Sequence, residues 1–216
     1  MPKHLPCSAI KSKHYKIYTL ASLIGGERKL GRGVDVPDYC FDFIAEQGRC
    51  LGIANIVLGK VDYLILKSLK EKKFLTAGDK RSVPYGLGLF KDFKYGDWVV
   101  VVEGLKDRDS LSMLYPNVVA TQTAGMGSIL REVLLSVTNR FILMYDNIQM
   151  DEAGKKSYYR DKRFLEEHNC QVVLGNHPEG VKDTGEIADS LYRGDYFKYE
   201  FLKSYYGMQL QSIIGF

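Results

Sequence analysis

Trp98-Val99-Val100-Val101-Val102-Glu103-Gly104-Leu105-Lys106-Asp107 is the stretch on which the fold turns. An unbroken apolar run of strand length, rich in β-branched valine and closed by a glycine turn, reads as a strand covered on both faces. A half-exposed strand would alternate instead. Working outward, Lys106–Tyr115 has a helical mix of polar and apolar residues and is broken by Pro116-Asn117. Val118–Thr121 reads as a short strand, followed by a loop carrying Gly125 and Gly127 and a helix from Ser128 to Val137. Phe141–Tyr145 (FILMY) is a further strand that runs into Asp146. Glu152–His168 is a charged helix, Gln171–Leu174 a fourth strand, and a loop containing Gly and Pro leads to Asp183. Short apolar strands alternating with helices mean an α/β fold with a mostly parallel sheet flanked by helices. In such sheets ligands sit beyond the carboxyl ends of the strands.

The upstream half reads as a smaller basic α+β lobe. Gly25-Gly26 and Gly31-Arg32-Gly33 mark tight turns near the β-prone run Ile17–Ile24. Val61, Leu64, Ile65 and Leu69 fit a helical stripe, although Tyr63–Leu66 fits a strand equally well. Residues 1–95 hold 17 Lys and Arg against 9 Asp and Glu, whereas residues 96–216 hold 13 against 17. That division suggests one surface for a polyanion and another for cations, although ordinary solvated charge produces the same tally. The expected organisation is a basic lobe over 1–95, a catalytic α/β unit over 96–192 and a helical closing segment over 193–216.

No apolar run approaches the roughly 20 residues that span a bilayer, and the basic, polar start Met1-Pro2-Lys3-His4 has no signal core. A cytoplasmic protein without membrane partners is the expectation. The cysteines Cys7, Cys40, Cys50 and Cys170 form no C-x-x-C pair, so reduced thiols and no zinc are expected.

The acids fall at telling places. Glu103 ends the first strand and Asp107 lies one turn on; Asp146 ends the FILMY strand, Asp151 follows it, and Asp183 lies in the loop after the fourth strand. On parallel strands these points converge on one edge. Carboxylates gathered there repel one another unless cations neutralise them, and Mg²⁺ or Mn²⁺ takes oxygen ligands. Taken singly, each acid is better explained as a helix cap or a solvated loop residue. That three of the four strand ends carry an acid favours a metal site.

At these residues the sequence resembles the Toprim domain shared by DnaG-type primases, topoisomerases and certain nucleases. That family has an E-G-x-x-D-like motif, here Glu103-Gly104-Leu105-Lys106-Asp107, and an apolar strand running into D-x-D-x-A-G. Here the second motif is Phe141–Tyr145 and Asp146, then Asp151-Glu152-Ala153-Gly154, with Asn147–Met150 inserted between the aspartates. Thr121–Gly127 resembles the intervening primase loop, and Gly180-Val181-Lys182-Asp183-Thr184-Gly185-Glu186 a G-K-D-P-D-E-like motif in which Gly185 replaces an aspartate. Upstream, Lys73-Phe74-Leu75-Thr76-Ala77-Gly78 and Tyr85-Gly86-Leu87 resemble the K-Y-L-N-S-P…Y-G-L stretch of DnaG primases in particular. The likeness covers residues 70–190.

The resemblance implies a DNA primase: a nucleotidyltransferase that joins NTPs into short RNA primers on a single-stranded DNA template. A replicative helicase or another replication protein is the implied partner. It makes Glu103, Asp146 and Asp151 catalytic and Asp107, Asp146, Asp151 and Asp183 the ligands of two or more Mg²⁺ or Mn²⁺ ions. Gly104 and Gly154 would allow close backbone approach, for which tight packing is an equal explanation. Lys60, Lys67, Lys73, Lys80 and Arg81 would meet template or nucleotide, with Tyr63, Phe74 and Tyr85 as stacking faces or core. The zinc-binding and helicase-binding domains common in DnaG primases are not expected from the cysteine spacing and length. A metal-dependent Toprim nuclease, or a catalytically silent nucleic-acid or replication-protein binding module, remain the alternatives.

Overall fold

A computed structural model describes residues 15–19, 29–30, 34–35, 38–57, 60–90, 92–150 and 152–215. Three small strands, β1 (Tyr15–Thr19), β2 (Lys29–Leu30) and β3 (Val34–Asp35), precede helix α1 (Asp38–Gln47). Strands β4 (Arg49–Val57), β5 (Lys60–Ser68) and β6 (Phe74–Ala77) follow, and β1-β4-β5-β6 forms an antiparallel sheet. Of the two readings open for Val61–Leu69, helix and strand, the strand is the one formed. Tyr63, Leu64, Ile65 and Leu66 are all buried, so the run is covered on both faces and gives no period-2 signal to set against the helical spacing.

The second sheet has the order β10-β9-β7-β8 and is wholly parallel. Its elements run β7 (Val99–Val102), α2 (Leu105–Leu111), β8 (Val118–Ala120), α3 (Ser128–Val137), β9 (Arg140–Leu143), α4 (Glu152–Glu167) and β10 (Gln171–Leu174). Val99, Val100, Val101 and Val102 are each 0% exposed, worth roughly 1.5–3 kcal/mol apiece in transfer free energy. Val99 and Val101 pack with Leu130 and Leu134 of α3 and Tyr158 and Leu165 of α4. Val100 and Val102 face the other way, into a core shared with Leu51, Ile53, Tyr63 and Ile65 of the antiparallel sheet. The bridge Tyr85–Ala120 also joins the two halves.

Helix α2 stops at Leu111, short of the expected Tyr115. Pro116 disfavours helix in the residue before it, and the buried Tyr115 hydroxyl instead donates to the Trp98 carbonyl at 2.7 Å. Two helices end the chain: α5 (Glu186–Arg193), which begins before the expected closing segment, and α6 (Tyr196–Ile214), which lies within it. Gly194, with φ of 76°, ends the first, and Asp195 caps the second by accepting from Lys198 N. Leu202, Tyr206 and Leu210 of α6 seal the shared core. No helix among the described residues is long and apolar enough to cross a membrane.

Candidate active site

Because β7, β8 and β9 run parallel, the residues that follow them emerge at one edge of the sheet. Glu103 follows β7, Gln122 follows β8 and Asp146 follows β9; all three line one cleft of about 580 Å³, joined by Asp107, Lys182 and Asp183. Ile65, Phe74, Thr76 and Lys80 of the antiparallel half form the opposite wall. Four of the five expected acids thus meet in one cavity with one of the expected lysines. Asp151 lies outside the described residues.

Asp107 is the most buried of these acids and has a local task. Its Oδ2 accepts from Gly104 N at 2.9 Å, the back-reaching half of a capping box, and its Oδ1 accepts from Gly185 N at 2.8 Å. A Cβ on Gly104 would lie 2.3 Å from that Oδ2, which gives this glycine a packing reason. Burial raises the Asp107 carboxyl to about 7, helped by the negative charges of Asp183 and Asp146 and opposed by Lys106. Asp107 therefore feels both of its neighbouring aspartates.

Lysines partly balance them. Lys182 Nζ is 2.9 Å from Asp146 Oδ2 and Lys106 Nζ is 2.7 Å from Asp189 Oδ2. Asp183 keeps a buried Oδ1 that no donor reaches among the described residues. Among those residues no three His, Cys, Asp or Glu groups already stand as a ready-made metal cluster. Still, the donors facing the cleft are oxygens of the hard type that Mg²⁺ and Mn²⁺ prefer, and one of them is buried without a partner.

The basic residues divide. Lys80 lines the cleft. Lys67 lies 5.7 Å from the Phe74 ring centroid, its ammonium held below the usual value by burial and by Lys106. Lys73 is tied to Glu46 at 3.0 Å and Glu71 at 3.2 Å, Arg81 to Asp79 at 3.1 Å, and neither lines the cleft. The Lys60 side chain lies outside the described part of the structure. Gly154 is buried in the first turn of α4. Tyr63 and Tyr85 are each 1% exposed and have no face to offer a base; of the two readings open for them, they are core. Phe74, 53% exposed on the cleft wall, retains one.

Residues given no role in the sequence analysis also shape the site. Gln122 adopts a φ of 60° and its side-chain amide donates to the Tyr63 hydroxyl, spanning the cleft between the two halves. His177 bonds Tyr145 O at 2.7 Å through Nε2 and Tyr206 Oη at 2.8 Å through Nδ1. A carbonyl can only accept, so Nε2 carries the proton and Nδ1 accepts from the tyrosine. Gln122 lies within the family-like loop 121–127 but is not singled out there, and His177 sits in no motif or periodic pattern.

No family model and no curated protein matches this chain. Solved structures do. The Escherichia coli primase catalytic core superposes with a TM-score of 0.54 at 21% identity, covering 72% of this chain and 51% of that one. The primase fragment of the bacteriophage T7 primase-helicase protein gives 0.53 at 23% identity, covering 70% and 62%. The Aquifex aeolicus primase, with its zinc-binding and RNA polymerase domains, gives 0.54 at 19% identity, covering 86% and 45%. The chain spans roughly half the length of these primases and shares the fold of their catalytic core.

Proposed function

We propose that this chain, built on the fold of a DnaG-type primase core, is a primase: a metal-dependent nucleotidyltransferase that makes short RNA primers on single-stranded DNA. One observation carries the reading: Glu103, Asp146 and Asp183, from separate β–α junctions, line one cleft whose other wall is the basic half of the chain. Glu103, Asp146 and Asp183 would hold Mg²⁺ or Mn²⁺, with Asp107 supporting them. The metal would supply charge neutralisation at the attacking hydroxyl and at the triphosphate. Lys182, with 58% of its side chain exposed, can swing from Asp146 onto phosphate oxygens once the acid is engaged. Lys80 and Phe74 face the acids from across the cleft. There a cation neutralises phosphate and an aromatic face takes a base.

The test is incubation with single-stranded DNA, labelled NTPs and Mg²⁺ or Mn²⁺, with products resolved by size. Labelled oligoribonucleotides are expected. Shortened DNA would mark a nuclease instead, and tight DNA binding with neither product a silent binding module. Asp146→Asn and Glu103→Gln should each abolish synthesis while leaving DNA affinity within about twofold, as expected for groups that act on the reacting phosphate. Full activity in both variants would move the chemistry elsewhere.

A further inference from the structure

Asp161 lies mid-way along α4 with its side chain 0% exposed, and it gathers five hydrogen bonds from four residues. Oδ2 accepts from Met126 N at 2.7 Å and Tyr145 Oη at 2.8 Å. Oδ1 accepts from Arg131 Nη2 at 2.5 Å and Nε at 3.2 Å, and from Arg160 Nε at 3.1 Å. A carboxylate taken fully out of water is costly, and apolar side chains of similar size usually fill a core at least as well. What this one achieves is joinery. It ties α3 and α4 to the loop 121–127 and to the residue immediately before Asp146.

The loop is held further by α4 and by bonds of its own. Ser157 Oγ donates to Ala124 O at 3.0 Å, Thr121 Oγ1 to Thr123 O at 2.7 Å, and Thr123 Oγ1 to Gly125 O at 2.8 Å. Gly125 has a φ of +80°, and a Cβ there would lie 2.5 Å from both Asp161 Oδ2 and Arg160 Nη2. The loop passes this close to the carboxylate only because Gly125 has no side chain. So held, it turns Gln122, Thr123 and Ala124 into the cleft opposite Lys80, beside Glu103 and Asp146. The strained Gln122 backbone is kept in place by its bond to Tyr63.

We infer that Asp161 is a positioning residue: it sets the loop 121–127 as the wall that grips a metal-bound nucleoside triphosphate against Glu103 and Asp146. This rests on the polymerase reading and names the segment that binds its nucleotide. The full chain is compared with Asp161→Asn by three measurements. They are hydrogen exchange of peptides covering 121–127, calorimetric binding of Mn²⁺-ATP, and anisotropy of a labelled oligo(dT).

The variant should exchange faster in that loop and bind Mn²⁺-ATP about tenfold more weakly, the scale of loss that small misplacements produce. Oligo(dT) affinity should stay within about twofold. Unchanged loop exchange, unchanged Mn²⁺-ATP affinity, or equal losses for both ligands would overturn the assignment, since general softening of the fold spares neither ligand. Should Asp161→Asn fail to fold, Gly125→Ala presses on the same carboxylate from the loop side and must show the same selective loss. A wild-type chain that binds no Mn²⁺-ATP also overturns it. Mn²⁺-ATP binding without primer synthesis would instead strike the polymerase reading alone.

Discussion

Gly185 shows what packing can demand of a single motif position. In the sequence it stands where the G-K-D-P-D-E-like motif has a second aspartate. In the fold, a Cβ there would lie 2.3 Å from Lys106 Cε, 2.6 Å from Asp107 Oδ1 and 3.0 Å from Asp183 Oδ1, and its N–H is given to Asp107. The aspartates are packed around the absence of a side chain. Gly185→Ala should therefore cost about 1–3 kcal/mol, the usual range for overpacking, read from urea unfolding. Gly185→Asp should gain no metal affinity by calorimetry. His177 gives the pH prediction at this scale. Burial holds its imidazole below the ordinary 6.5, outweighing the pull of Tyr145 O and of the nearby acids. A base depressed in the fold takes its proton more readily when unfolded, so its contribution is complete above the unfolded pKa of about 6.5 and fades as pH drops below it. The urea midpoint of the wild type should fall more steeply on acidification than that of His177→Gln, which keeps a donor for Tyr145 O. Parallel curves would mean that the imidazole stays uncharged throughout or carries its proton equally in both states.

Among the elements, the parallel sheet was legible from its sequence and the antiparallel one was not. WVVVV, FILMY and QVVL are short, apolar and bounded by turn residues, and each sits on a strand of the second sheet within a residue or two. With the strands fixed, the acids at their ends are placed at one edge by the sequence pattern alone. β5 is buried on both faces within a longer run of mixed residues, which erases the alternation that separates strand from helix. Whether a lysine faces the cleft was equally hidden, because it depends on that strand's register. Lys73 and Lys80 flank β6 within one family-like segment, yet Lys80 lines the cleft while Lys73 is paired with Glu46 and Glu71. Lys80→Ala should raise the nucleotide KM about five- to tenfold, the worth of one charge-assisted contact. Lys73→Ala should leave it within about twofold. The reverse order in steady-state assays would show that the nucleotide runs along the outer edge of β6.

For the molecule as a whole, the uneven charge division of the sequence becomes an arrangement in space. The basic half and the acid-bearing sheet edge face each other across one cleft, spanned by Gln122 and Tyr63. Binding of an oligo(dT) should weaken with added salt, and Lys80→Ala should lower the slope of log K against log salt by about one at most. A salt-independent affinity would remove the backbone phosphates from the contact. That the two halves build one cleft was not readable from composition, because charge counts carry no information on which faces meet.

The valines of β7 carry a further lesson for anyone who would take the protein apart. Val100 and Val102 lie against Leu51, Ile53 and Ile65, and Tyr85 hydrogen-bonds Ala120 in both directions, at 3.0 and 2.9 Å. A fragment beginning near residue 96 would bare an oily flank and orphan the outer edge of β8. It should precipitate on expression and dissolve only when residues 38–95 are supplied, in cis or as a separate polypeptide. Swapping the acid-bearing half into a foreign scaffold would thus fail for want of its neighbour's greasy underside, whatever the merits of the chemistry it carries.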